Sequence, residues 1–78
     1  MNVCETLMEL AAKGIDVQFT YHDRALNIHF TKKLANGNDL FSWMAIGEPM
    51  IYKGATDTDL ILAGMLRRVG DELHQHNQ

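Results

Sequence analysis

The chain reads as an α+β domain in αβββα order: a helix, a three-stranded antiparallel meander and a second helix, with both helices packed on one face of the sheet. Three observations predict this. Val17 to Ile46 holds three runs of alternating or apolar residues, broken at Asp23-Arg24 and at Asn36-Gly37. A helix-period segment precedes those runs, and another follows them. Strands that pair in chain order leave the two helices to cover one face together. At 78 residues the chain is one domain, 1–78.

The first helix is predicted over about 2–13. Asn2 can cap it, with Glu5 three positions on, as in a capping box. Val3, Cys4, Leu7, Met8 and Ala11 form the apolar stripe, and Glu9 and Lys13 form an i, i+4 pair on the wet side. Gly14 ends the helix in a left-handed conformation, and Ile15 folds back onto the last turn.

Strands follow over about 16–22, 25–33 and 40–46. Folding about Asp23-Arg24 sets Tyr21 against Leu26, Phe19 against Ile28 and Val17 against Phe30, so six large side chains share one face. Asp-Arg is not a favoured primed-turn pair, which leaves a four-residue loop over His22 to Ala25 as an alternative with the same pairing. Asn36-Gly37 is the strongest hairpin signal in the chain. A two-residue loop there pairs Phe30 with Trp43 and Ile28 with Ala45, placing Trp43 and Phe41 in the core and Leu40, Met44 and Ile46 beside His29. A three-residue loop would shift the register by one and expose Trp43. The two-residue form is the expectation.

Gly47-Glu48-Pro49 breaks the third strand, and Met50-Ile51-Tyr52 reads equally as a short edge strand or a draped loop. The second helix is predicted over about 57–73, capped by Thr56, with Asp57 and Asp59 complementing its dipole. Its buried arc is Ile61, Leu62, Met65, Leu66, Val69 and Leu73, and Gly70 bends or frays its last turn. Residues 74–78 form a loose tail.

Composition narrows function mainly by exclusion. Ten acids against seven bases give a net charge of −3, the wrong sign for a module that lives on phosphate. The single cysteine, Cys4, allows no internal disulfide, and its place on the apolar stripe makes it a small buried hydrophobe. His22 and His29 stand about 13 Å apart along the strands at 3.3 Å per residue, too far to hold one ion. His74 and His76 lie in the tail. No phosphate loop and no nucleophile with a base is present, so no cofactor, metal or catalytic group is expected. No stretch approaches the apolar length of a membrane span, and a cytoplasmic setting is expected.

Two surfaces remain for binding. One is the open sheet face, built from Gln18, Thr20, His22, Asn27, His29, Thr31, Ser42 and Met44, with an apolar strip of Leu40, Met44 and Ile46. The other is a flank of the second helix, Leu60, Gly64 and Arg67 beside Asp71, where an interior glycine suggests close approach. Thr20, Asn27, His29, Met44, Ile46, Leu60, Gly64 and Arg67 are therefore the candidate partner-binding residues. The partner expected is a protein, a second copy included.

The element order resembles the double-stranded-RNA-binding domain over nearly the whole chain, which implies the same topology. That family sets lysines at the start of its second helix, whereas Gly54-Ala55-Thr56-Asp57-Thr58-Asp59 carries acids here. Its Gly-Pro-x-His loop is replaced by His22-Asp23-Arg24-Ala25. RNA binding through Arg24, Lys32, Lys33, Arg67 and Arg68 is thus the second expectation. The chain also resembles short accessory proteins of bacteriophages and mobile elements. The likeness lies in a helix starting at residue 2, Lys13-Gly14-Ile15-Asp16-Val17 entering a hairpin, and an acidic closing helix. That resemblance implies binding to a host or phage protein, inhibition of host defence nucleases included.

Overall fold

The computed structural model describes residues 2–47 and 55–75. In chain order the elements are α1 (Val3–Ala12), β1 (Ile15–His22), β2 (Ala25–Lys33), β3 (Asp39–Gly47) and α2 (Ala55–His74). The three strands form one antiparallel sheet in the order β1-β2-β3. This is the αβββα architecture expected, with strand limits within one residue of the predicted ones. The Met50-Ile51-Tyr52 run and residues 76–78 lie outside the described residues.

Asn2 caps α1 by accepting the Glu5 amide at 2.8 Å. Gly14 closes the helix at φ +76, and Ile15 is buried directly after it. The buried stripe differs from the one predicted. Thr6 and Leu10 are fully or almost fully buried with Val3 and Leu7 beside them, while Cys4, Met8 and Ala11 face outward. The helix has two apolar arcs, and the polar label of Thr6 hid the true one. Its hydroxyl donates to the Asn2 carbonyl at 2.8 Å, so burying it leaves no polar atom unsatisfied.

The helices lie side by side and run in the same direction. The Val3 amide donates to Asp59 Oδ1 at 3.1 Å, Arg67 grips both oxygens of Glu9 at 3.0 and 3.2 Å, and Lys13 reaches Asp71 at 3.3 Å. Glu9 and Lys13 therefore pair across to α2 rather than with each other. Asp59 satisfies an amide of the first turn of α1, where its negative charge also suits that helix's dipole. Thr56 is already inside α2, so it is not the cap. Gly70 sits at the crossing: a Cβ there would stand 2.1 Å from Leu10 Cδ2. The α2 face is Ala63, Leu66, Gly70 and Leu73, flanked by Leu62, Met65 and Val69.

Leu10, Ile15, Ile28, Phe30, Ile46, Leu66 and Leu73 form the core between helices and sheet. Lys32 belongs to this face too and is only 6% exposed. Its ammonium donates to the Leu73 and His74 carbonyls at 3.1 and 3.4 Å, capping the last turn of α2 with a positive charge.

The first hairpin has the predicted register, Val17 with Phe30, Phe19 with Ile28 and Tyr21 with Leu26. The second does not. Ile28 pairs with Met44, His29 with Trp43 and Phe30 with Ser42. The reason is the loop. Gly37 donates to the Leu34 carbonyl at 3.0 Å and adopts φ +89, and Leu34 donates to the Asn38 carbonyl at 2.8 Å. Three residues, Ala35-Asn36-Gly37, thus lie between the closing pair, in the turn-plus-bulge form whose last position is left-handed. Asn36 accepts the Asn38 amide at 2.9 Å through its side chain. Because strand side chains alternate, this one extra residue turns β3 over relative to the two-residue expectation. Leu40, Ser42, Met44 and Ile46 join the core face, and Phe41 and Trp43 leave it.

A candidate binding face on the open side of the sheet

Opposite the helices the sheet presents Gln18, Thr20, Asn27, His29, Thr31, Phe41 and Trp43. Phe41 and Trp43 are 71% and 59% exposed, and two positions apart on one strand they point the same way. His29 lies directly across from Trp43, with ring centroids 6.4 Å apart and planes tilted by 48°. The ladder explains their closeness. Leu34 bonds to Asn38 of the third-strand arm, so by alternation the even residues of β2 bond to β3 and the odd ones to β1. His29 and Trp43 are therefore a non-hydrogen-bonded pair, the kind that brings side chains closest.

Three of the predicted site residues are brought together here. Thr20 and Asn27 are directly opposed, and His29 follows two positions along β2. Asn27 is partly tied down, its amide donating to the carbonyls of His22 at 3.3 Å and Ala25 at 3.2 Å. Met44 and Ile46 do not belong to this face. Ile46 is buried in the core, and Met44 lines a hollow of about 90 Å³ with Met65, Arg68 and Val69 on the helix side. Ser42 and Leu40 move with them. The residues missed were Phe41 and Trp43. Their signal was the three-residue reading of Ala35-Asn36-Gly37, outweighed by the strength of Asn-Gly as a two-residue turn.

Leu60, Gly64 and Arg67 do assemble, with Ala63, around a hollow of about 140 Å³ on α2. Leu60 is 54% exposed, and a Cβ on Gly64 would meet no described residue within 4 Å, so no close approach among the described residues requires that glycine. This flank lies on the helix layer and is separate from the sheet face.

Among the described residues, no three His, Cys, Asp or Glu side chains converge as metal ligands, and no helix is long and apolar enough to cross a membrane. The five cations proposed for RNA do not share a surface. Lys32 is buried under α2, and Arg67 is engaged with Glu9.

No family model matches the chain. No curated protein and no solved structure matches it either.

Proposed function

We propose that the chain is a non-enzymatic protein-binding module acting through the open face of its sheet. The observation that carries this reading is the aromatic cluster of Phe41, Trp43 and His29 on a face that neither helix covers. Large exposed aromatics on a rigid support are costly to keep wet and are typical anchors of protein interfaces. The surrounding Gln18, Thr20, Asn27 and Thr31 supply a polar rim, with Asp16, Lys33 and Asp39 on the same face by alternation. The face carries no concentration of positive charge, so it suits a protein surface better than a phosphate backbone. With the likeness to phage and mobile-element accessory proteins, the partner we favour is a host or phage protein in the cytoplasm.

The test is affinity capture from the native host with the wild-type chain and with Trp43→Ser and Phe41→Ser, each checked for unchanged fold by circular dichroism. A defined protein retained by the wild type and lost with both variants supports the reading. Equal retention by the variants removes the sheet face from consideration.

A further inference from the structure

We infer that the free edge of β1 is a docking site for a second copy of this chain, which extends the sheet by two-fold pairing centred on Phe19. This surface is distinct from the aromatic face and does not depend on the function proposed for it.

The backbone supplies the first argument. Among the described residues β1 has a neighbour on one side only. The two-residue turn at Asp23-Arg24 makes His22 and Ala25 a hydrogen-bonded pair, so Asp16, Gln18, Thr20 and His22 bond inward to β2. Val17, Phe19 and Tyr21 consequently direct their N–H and C=O groups away from the sheet. Such a row is a template for another strand. Natural edges are usually protected by lysine, proline or a bulge. Val17 to His22 contains no proline and no Lys, Arg, Asp or Glu, and β1 pairs with β2 without interruption.

Self-complementarity chooses the occupant. An antiparallel strand pair is compatible with a two-fold axis, and side chains match faces only when odd positions meet odd ones. Centring on Phe19 sets Val17 against Tyr21 of the second copy and Gln18 against Thr20, so the outward-facing backbone groups of Val17, Phe19 and Tyr21 all find partners. The same register places Asp16 opposite His22 at each end, and no acid faces an acid. A register centred on Gln18 loses that match.

The flank above the edge agrees. Phe19 and Tyr21 are 39% and 56% exposed although they point toward the helix side. On the same side of the sheet α1 packs against β1 and turns outward the arc of Cys4, Met8 and Ala11, with Met8 72% exposed. The β3 side differs, since Arg68 lies there next to Met44. Seven paired residues span about 23 Å at 3.3 Å each. With one helix layer above, the strip falls at the small end of specific interfaces, where association is reversible.

Light scattering over a wide concentration range should show the mass rising from 8.8 kDa toward twice that value. Met8→Glu, on an exposed helical position, and Tyr21→Lys should each weaken association at least about tenfold while preserving the circular dichroism spectrum. Trp43→Ser should leave it intact. Hydrogen exchange gives a readout that needs no variant. The amides of Val17, Phe19 and Tyr21 should become protected as concentration rises, whereas those of Gln18 and Thr20 are protected throughout. A strictly monomeric chain overturns the inference. So does a dimer whose Val17, Phe19 and Tyr21 amides exchange freely, or one abolished by Trp43→Ser and untouched by Met8→Glu.

Discussion

The two turns of the meander reverse the roles their residues suggest. Asp23-Arg24, a poor primed-turn pair, forms the tight two-residue turn with both residues at positive φ, +53 and +58. Asn36-Gly37, the favoured pair, does not form one. Gly37 takes positive φ alone, as the third residue of a longer loop. In the first hairpin the pairing of six large side chains fixes the register, His22 pairs with Ala25, and the two residues left between them turn the chain at positive φ. Two L-residues in the left-handed region cost roughly 2–4 kcal/mol together, less than burying several large apolar side chains at about 1.5–3 kcal/mol each contributes. In the second hairpin the strand is apolar on both sides, so either register buries something large, and helix packing makes the choice. In neither hairpin does the dipeptide preference decide the turn: strand pairing decides the first, and packing against the helices decides the second.

Ile46→Ser should have the largest effect. The three-residue loop puts Ile46 in the core at 6% exposure, whereas a two-residue loop would put it on the open face. Truncating a buried Ile and leaving a hydroxyl in its place should cost about 2–5 kcal/mol in urea denaturation. A variant as stable as the parent would mean that the core accepts both registers.

Gly70→Ala is expected next. The methyl group meets Leu10, itself 2% exposed, so overpacking of about 1–3 kcal/mol outweighs the roughly 1 kcal/mol gain in helix propensity. Gly64→Ala, where no described residue would meet the added methyl group, should stabilise by up to about 1 kcal/mol. The opposite signs of these two variants, measured by thermal melting, separate a glycine required by contact from one that is not. The same contrast applies to the turns. Gly37→Ala should destabilise by about 1–2 kcal/mol, because its φ of +89 disfavours a side chain. Arg24→Gly relieves strain at φ +58 and should stabilise by up to about 1 kcal/mol, less whatever the arginine's own interaction contributes.

The smallest effect in energy is the sharpest on register. Trp43 is the chain's single tryptophan, and its fluorescence should be that of a solvent-exposed indole, readily quenched by iodide or acrylamide. Trp43→Ser should change stability by no more than about 0.5 kcal/mol, as for other surface positions. A blue-shifted, protected emission in the dilute chain would restore the two-residue register.

Much of the architecture was legible in the residues alone. The Asn2 cap, the Gly14 stop, the alternation of β1 and β2 and the periodicity of α2 act over a few neighbours, and local chemistry determined them. The register of β1 on β2 was equally readable, because folding about the short break at Asp23-Arg24 put all six large residues on one side. Three features were settled by tertiary structure. Which arc of α1 is buried depended on where α2 lies, since Cys4-Met8-Ala11 and Val3-Leu7-Leu10 are both apolar. The use of Lys32 as a buried cap depended on the last turn of α2 arriving above it, a contact across 41 residues. Whether Met44 or Trp43 enters the core depended on the helices, because a strand apolar on both faces carries no instruction about which to hide. That last choice moved Trp43 and Phe41 beside His29, and it removed Met44 and Ile46 from the candidate site.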